Sequence, residues 1–313
     1  MTTAVGTVAS RPYRDGLDWQ RLHDLLVRIH RRTRRWRCWT PDRIDGFLRG
    51  CLYDDLIQGS PGWRDRIRLW EAPSGQLIGA VHHEGPQEAW LELDPGWAQL
   101  APELLDWAEE THAARPAGAE PLPALQAYAV ADDAERQALL AGRGYVDRGP
   151  TEVLHTRSLA DPGPAVVLPD GYRIRRIDLA DPGDRRQLVE ITRLTFTHAT
   201  YDERAIDLEP RMLTEHEYLA AIAPDGSFAA WCGVWFSPDI GVSQFEPVGT
   251  HPDQRRRGLA SAVMERGVDW MLRRGLDNAY VGTGVTNASN YLYASLGFTV
   301  AELYHQWEWR PRS

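Results

Sequence analysis

The order of secondary-structure signals repeats once along the chain, and this repeat restricts the fold more than any single motif does. In both halves, helical patterns are followed by alternating strand patterns. After these come a helix, a strand, a second helix and a final strand. The clearest local echo is LLAGRGYV at 139–146 against YASLGFTV at 293–300. A repeat at half the length of a 313-residue chain predicts a duplicated domain.

Composition shifts predict where the two domains begin and end. Residues 1–12 are predicted as a flexible tail and residues 13–159 as the first domain. Residues 160–171, ADPGPAVVLPDG, are rich in proline and glycine and are predicted as a linker to the second domain, 172–313. Within the second domain, TEHEYLAAIA at 214–223 is predicted as a helix.

The composition excludes several classes of function. A formal net charge of −9 disfavours non-specific binding to nucleic acids or to anionic membranes. The basic run Arg31–Arg37 lies beside two tryptophans. We interpret it as a solvated helix end rather than as a nucleic-acid-binding site. Every basic residue is arginine, which excludes a lysine nucleophile or Schiff base. No apolar run reaches the ~18 residues that a membrane-spanning helix needs.

The cysteines give no sign of a metal site or of a disulfide framework. Cys38, Cys51 and Cys232 are scattered and form no CxxC pair. We therefore predict no metal and a reducing, cytoplasmic location.

The segment GTHPDQRRRGLASAVM, 249–264, concentrates positive charge between a strand and a helix. The strand VSQFEPVGT, 242–250, precedes a polar loop, and a helix is predicted from Gly258 to Arg274. The first N–H groups of a helix have no partner within it, so such a loop binds anions, and phosphate is the usual one. We expect the small residues Gly258 and Ala260 to allow its close approach. The loop matches neither GxxxxGK[ST] nor GxGxxG.

Two motifs together resemble the signatures of the GCN5-related N-acetyltransferase (GNAT) superfamily. RRRGLA at 255–260 resembles the R/Q-x-x-G-x-G/A pyrophosphate loop, and TNASNYLYASLGF at 286–298 resembles the second signature. The chain is thus identified as a tandem GNAT with a degenerate first half. The resemblance implies an α/β (α+β) class with two tandem GNAT folds, each with a mixed, mostly antiparallel central sheet flanked by helices.

The resemblance implies acetyl-CoA as the cofactor. Backbone amides of the loop would hold the pyrophosphate, and the end of the preceding strand would pair with the pantetheine arm. The implied cofactor-binding residues are Val248, Gly249, Thr250, Arg255, Arg256, Arg257, Gly258, Leu259, Ala260, Ser261, Asn287 and Asn290. Tyr293 matches the tyrosine that protonates the departing thiolate in many members. The family's usual asparagine seven residues earlier is Thr286 here.

An acceptor amine must lose a proton, and Glu246 is the predicted general base. Strand alternation predicts that Gln244, Glu246 and Val248 share one face. A glutamate on an otherwise apolar strand is costly unless it is partnered or used, so a structural ion pair with an arginine is the alternative. The predicted substrate-binding residues are His198, Tyr201, Asp202, His305 and Trp307. His198, Tyr201, Asp202 and His305 are also alternative bases, and core packing is the alternative for the tryptophan.

The first half departs from the pattern at the corresponding loop. LDPGWAQLAPELL, 93–105, has no arginine, Trp97 follows Gly96, and Leu140 stands at the tyrosine position. We therefore expect only the second half to bind the cofactor.

The predicted function is an acetyl-CoA-dependent N-acetyltransferase that acts on a small-molecule primary amine by direct transfer in a ternary complex. An amino sugar, an antibiotic or a metabolite is the expected acceptor, in an architecture similar to that of the mycothiol synthases. The alternatives are a non-catalytic acetyl-CoA-binding or regulatory module and an acetyltransferase of a protein amine. We expect a monomer or homodimer, with neither a nucleic-acid nor a membrane partner.

Overall fold

The computed structural model describes residues 7–37, 39–59, 61–85, 87–112, 124–160, 163–196 and 201–310. The chain divides into two compact units. Unit 1 holds the described residues up to Glu152 and those from Glu302 onward, and unit 2 spans Val153–Ala301.

Twelve strands and eight helices make up the regular structure of the described residues. The strands are β1 (Ala9–Pro12), β2 (Arg68–Glu71), β3 (Leu77–His82), β4 (Glu88–Leu93), β5 (Leu125–Val130), β6 (Val146–Ser158), β7 (Arg173–Arg176), β8 (Glu215–Ile222), β9 (Phe228–Ser237), β10 (Val242–Thr250), β11 (Asn278–Gly284) and β12 (Thr299–Trp309). The helices are α1 (Leu17–Thr33), α2 (Pro41–Tyr53), α3 (Ala101–His112), α4 (Ala134–Gly142), α5 (Pro182–Thr195), α6 (Glu203–Ile206), α7 (Leu259–Arg273) and α8 (Ser289–Ser295).

Each unit has a mixed, mostly antiparallel sheet. In unit 1 the order is β1-β2-β3-β4-β5-β12, and the pairing of β4 with β5 is parallel. In unit 2 the order is β6-β11-β10-β9-β8-β7, and the pairing of β10 with β11 is parallel. The fold class expected from the sequence is therefore confirmed.

The unit 2 sheet is covered on both faces. On one face, α7 packs over a core that includes Val234, Phe245 and Tyr293. On the other face, α5 packs over a core that includes Tyr218 and Trp231. This arrangement leaves the ends of β10 and β11 to form the site.

The predicted helix at 214–223 is wrong, because Glu215–Ile222 form β8 between β7 and β9. Tyr218 packs into the core on the α5 face, whereas Leu219 packs into the core on the α7 face. A strand buried on both faces has a continuous apolar run, which periodicity alone does not distinguish from a buried helix.

The predicted flexible tail is wrong for Ala9–Pro12, which form β1 and pair with β2. Two ion pairs hold this strand. The Arg11 guanidinium lies 2.5 Å from the Asp18 carboxylate and 2.8 Å from that of Glu71.

The predicted domain boundaries differ from the units at the terminal strands. Residues from Tyr304 to Trp309 pair with β5, so the end of β12 belongs to unit 1 rather than to the predicted second domain. Likewise Val153–Ser158, predicted with the first domain, belong to unit 2. The described residues of the predicted linker contain neither helix nor strand.

Two buried histidines make unit 1 sensitive to acid. The Arg66 guanidinium lies 3.5 Å from His83 Nδ1 and 3.1 Å from His112 Nδ1. Burial, together with the Arg66 charge, lowers the pKa of His83 to about 3 and that of His112 to about 4. The folded chain therefore keeps both rings neutral at pH values where the unfolded chain, with a pKa of ~6.5, takes up protons.

We expect the free energy of unfolding to fall as the pH drops below ~6.5. Each histidine adds a slope of up to about 1.4 kcal/mol per pH unit until the pH reaches its folded pKa. Urea unfolding at pH 7.5, 6 and 5 measures this dependence. The double variant His83→Asn/His112→Asn should show a flatter dependence, and an unchanged slope would exclude these two rings as its source.

Candidate active site

The candidate site lies where the pairing of β10 with β11 ends. The parallel pairing of β10 with β11 covers Val242–Phe245, and its last pair is Phe245 with Val281. The antiparallel pairing of β10 with β9 continues to Thr250, which lies opposite Ala230. The edge of β10 that carries Val248, Gly249 and Thr250 therefore has no strand partner on the β11 side in the described part of the chain. Such an edge can pair with an extended ligand.

An irregularity in β10 changes which side chains share a face. The register against β9 shifts between Phe245 and Val248, and the Glu246–Pro247 peptide bond is cis. Gln244 lies opposite Trp235, whereas Val248 packs into the core under α7. The prediction that Gln244, Glu246 and Val248 share a face is therefore wrong, because simple alternation does not continue through such a shift.

The loop before α7 presents a row of backbone N–H groups. In the described part of the chain, no hydrogen bond is made by the N–H groups from Gly258 to Ser261, and the helical ladder begins with Ala262 N–H to Gly258 O at 3.0 Å. Gly258 caps the helix with a φ of 76°, and Arg256 has a φ of 64°. Leu259 is buried and anchors the first turn of the helix. This donor set fits a diphosphate.

The reason for glycine at 258 is its backbone conformation. A Cβ placed there would meet nothing within 4 Å, so crowding by the protein itself does not require glycine. A positive φ does, because it is strained for residues with a side chain.

Three exposed arginines surround this row of donors. Arg257 Nη1 donates to the Tyr172 hydroxyl at 3.1 Å, and that hydroxyl donates to Gln254 Oε1 at 2.6 Å. Arg255 and Arg256 have no ion-pair partner among the described residues. Their charge is therefore available to an anion bound at the loop.

Asparagine side chains shape the turn from β11 to α8. Asn290 Nδ2 lies 2.8–3.1 Å from the carbonyl oxygens of Gly284, Val285 and Asn287, so its amide group holds the turn. Asn287 Nδ2 donates to Thr283 Oγ1 at 3.0 Å. Any cofactor contact of Asn287 and Asn290 stays a prediction.

The two predicted catalytic residues lie on β10 and on α8 of unit 2. Glu246 is exposed at the irregularity of β10, so it does not carry the desolvation cost expected of a buried strand position. Tyr293 is buried, and its ring lies 5.6 Å from that of His155. Burial raises the pKa of Tyr293 well above its usual value, and the Glu246 charge raises it further, whereas a hydrogen bond with Ser289 lowers it. Tyr293 therefore stays protonated at neutral pH.

Comparison with known proteins identifies this region. Residues 185–298 match the model of the Acetyltransferase (GNAT) family. These residues form a GNAT domain. Proteins of this family are acetyltransferases, and they generally use acetyl-CoA.

A curated relative also matches part of the chain. A mycothiol acetyltransferase from Beutenbergia cavernae is 26% identical over 151 residues, which are 46% of this chain and 50% of that protein. The chain thus spans about half the length of the curated relative that it matches.

Solved structures extend the likeness of fold to both units. A GCN5-related N-acetyltransferase from Sphaerobacter thermophilus matches with a TM-score of 0.60 and 21% identity, over 98% of this chain and 97% of that one. A tandem GNAT protein from the clavulanic acid biosynthesis pathway matches with a TM-score of 0.64 and 16% identity, over 98% and 100%. The predicted tandem GNAT fold is confirmed.

In unit 1, the segment expected at the position of the anion loop is a turn capped by the Asp94 carboxylate. Asp94 accepts a hydrogen bond from Gly96 N–H at 2.9 Å, and its two oxygens lie 2.7 Å from Arg32 and 3.2 Å from Arg28. A Cβ on Gly96 would lie 2.7 Å from the Arg32 guanidinium. The first N–H of this turn and the nearby cations are thus satisfied within the protein.

Two of the predicted substrate residues border α6, and one lies outside the described residues. Asp202 caps α6 through the Arg204 N–H, and Tyr201 packs beside the core under α5. His198 lies outside the described residues. A substrate role for these three stays a prediction.

The other two predicted substrate residues lie in unit 1, on the end of β12. His305 Nδ1 lies 3.0 Å from the Asp147 carboxylate, and Trp307 is buried in the hydrophobic core. Trp307 therefore packs in the core, which was the alternative considered for it. Both residues were predicted in the catalytic domain because the whole last strand was predicted to belong to that domain.

Two further features of the described residues concern partners and metals. No helix there is both long and apolar enough to cross a membrane. No group of three or more His, Cys, Asp or Glu side chains there is placed to bind a metal ion.

Proposed function

We propose that unit 2 is an acetyl-CoA-dependent N-acetyltransferase that acts on a small-molecule primary amine by direct transfer in a ternary complex. One observation carries the proposal. The candidate base, Glu246, follows Phe245, which packs in the same core as the candidate acid, Tyr293, at the point where the pairing of β10 with β11 ends. The anion loop, 251–258, joins the end of the same strand to α7.

The described residues at this end of β10 can hold the cofactor. The N–H groups from Gly258 to Ser261 would bind its pyrophosphate, with Arg255 and Arg256 adding charge. The free edge at Val248–Thr250 would pair with its extended arm. When bound, acetyl-CoA supplies an acyl group activated as a thioester.

Glu246 and Tyr293 divide the proton transfers between them. Glu246 accepts a proton from the amine nitrogen, directly or through a water, as that nitrogen attacks. Tyr293 holds its proton at neutral pH and donates it to the departing sulfur. Glu246 is exposed on β10, and Tyr293 is buried on α8 in the core under α7.

A small amine is the proposed acceptor class, for instance an amino sugar, an antibiotic or a metabolite. The support is the partial similarity to a mycothiol acetyltransferase and the tandem fold. A monomer or homodimer in the cytoplasm, without a nucleic-acid partner, stays a prediction.

Release of free thiol from acetyl-CoA tests the proposal directly. A panel should include amino sugars, aminoglycosides, amino acids and a lysine-containing peptide, with mass spectrometry of the product. Acetylation of a small amine is the expected result. Turnover of the peptide alone would favour a protein acetyltransferase, and binding without turnover would favour a non-catalytic module.

Gly258→Val tests the anion loop. We expect the Kd for acetyl-CoA to rise by roughly 10- to 100-fold, about the effect of losing one charge-assisted hydrogen bond, because valine is strained at this positive φ. Calorimetric titration measures the change. Gly226→Val is a matched control, since Gly226 also has a positive φ and open space around it, in the turn between β8 and β9. Equal losses of binding in both variants would contradict the assignment of the loop.

A further inference from the structure

The carbonyl group of Glu246 lies directly against β9. A Cβ placed on Gly233 would be 2.1 Å from Glu246 O and 3.0 Å from its carbonyl carbon. Both neighbours are backbone atoms, which cannot move aside as a flexible side chain would. Only glycine at 233 therefore leaves room for the chain path of β10 at Glu246.

An indole group binds the same carbonyl. Trp235 Nε1 donates a short hydrogen bond to Glu246 O, and the Trp235 ring is buried. At this point β10 has lost both its pairing with β11 and its regular register with β9. A side-chain donor thus holds the strand where the regular pairing is interrupted.

A polar cluster in turn holds the Trp235 ring. His216 stacks on it at 4.7 Å with 26° between the planes. His216 Nε2 lies 2.8 Å from Glu209 Oε2, and the Tyr218 hydroxyl donates to Glu209 Oε1 at 3.1 Å. Glu209 is buried, so these contacts fix the orientation of the cluster.

We propose that Gly233 and Trp235 are positioning residues that fix the backbone at Glu246 and so aim its carboxylate at the acceptor amine. The inference rests on the proposed function, because it gives these residues a role in that reaction. The direction of the Glu246 Cα–Cβ bond follows from its backbone, which is fixed by one close approach and one hydrogen bond. A misplacement of ~1 Å can cost about 100-fold in rate.

His216 supports this geometry and is not itself the base. Its Nδ1 lies 3.3 Å from Thr214 O, and its Nε2 faces Glu209. Both ring nitrogens therefore face oxygen atoms of the protein rather than a substrate. Its contact with the reacting groups runs through Trp235.

Trp235→Phe removes the indole N–H and keeps an aromatic ring against His216. We expect kcat to fall by roughly 10- to 100-fold, with the KM for acetyl-CoA within about threefold of the wild type and the acid limb of the kcat/KM pH profile displaced. Gly233→Ala, which displaces the carbonyl itself, should lower kcat at least as much. Trp270→Phe, in which a tryptophan of α7 packs on Phe236, is the control and should change neither quantity.

A double-variant cycle separates positioning from general damage. In a Glu246→Gln background, Trp235→Phe should lower kcat by less than about threefold, because the carboxylate that it positions is absent. If the fold-losses of kcat in the two single variants multiply in the double variant, the proposal is overturned. A Trp235→Phe enzyme with wild-type kcat and pH profile would also overturn it. A wild-type chain that acetylates no amine would instead refute the proposed function.

The indole ¹⁵N–¹H resonance of Trp235 tests the geometry even without turnover. We expect slow exchange of the indole hydrogen with solvent in the wild type and fast exchange in Gly233→Ala. Fast exchange in the wild type would contradict the hydrogen bond to Glu246 O.

Discussion

Replacing Glu246 with glutamine is expected to lower kcat by about 10²- to 10⁴-fold, the usual contribution of a general base. The substitution keeps the size of the side chain and its exposed position but removes its ability to accept a proton. Acetyl-CoA affinity should stay within about threefold, since the anion loop and the β10 edge are untouched. Steady-state kinetics as a function of pH measure the effect, and the acid limb of kcat/KM should disappear.

Glu215→Gln is the matched control for this variant. Glu215 is an exposed glutamate on β8 of the same sheet, and its ion pair with Arg274 is also exposed, so the substitution should leave kcat unchanged. A Glu246→Gln enzyme with wild-type kcat and an unaltered pH profile would show that another group takes the proton. Asp202 and Tyr201 would then be the next residues to test.

Replacing Tyr293 with phenylalanine is expected to lower kcat by a similar factor, about 10²- to 10⁴-fold. The ring keeps its packing against Phe298 and His155, so the melting temperature should change little. Only the proton donor for the departing thiolate is lost. The measurement is kcat, with acetyl-CoA binding followed in parallel and expected to be unchanged.

The pH dependence gives a second check on Tyr293. Because its pKa is raised, the protonated form persists above the usual value of ~10, and the wild-type enzyme should show no alkaline loss of kcat from this group below that pH. Tyr291→Phe is the control, since Tyr291 is exposed on the same helix. Wild-type kcat in Tyr293→Phe would exclude the tyrosine as the acid.

The anion loop was predictable from sequence because its determinants are local. A strand, a polar loop, a glycine at the helix start and an amphipathic helix follow one another within residues 242–274. The helix start is fixed by the positive φ at Gly258 and by the burial of Leu259. Each of these depends on neighbours in the chain, so a short motif carries the information.

The surroundings of Glu246 depend on contacts between strands and were not predictable in the same way. Proline at 247 signals an irregular strand, because it has no N–H to donate. The sequence does not indicate that Gly233 lies under the Glu246 carbonyl or that Trp235 binds it, since both depend on the register of β9 against β10. His216 escaped detection because its segment has the composition of a helix.

The errors in the outer parts of the chain have the same origin. β1 forms by pairing with β2, which lies more than 50 residues later in the sequence. Trp307 belongs to the unit 1 core because the end of β12 pairs with β5. Such partners at long sequence separation leave no local periodicity, so a tail and a pocket residue were reasonable but wrong interpretations.

The central claim is that the chain has one working cofactor site, in unit 2, while the segment expected at that position in unit 1 is a turn capped by the Asp94 carboxylate. Calorimetric titration of the wild-type chain with acetyl-CoA tests it most directly. The account predicts one acetyl-CoA bound per chain, with affinity reduced roughly 10- to 100-fold in Gly258→Val and unchanged in Gly226→Val. Two equivalents bound per chain, or full binding by Gly258→Val, would contradict it.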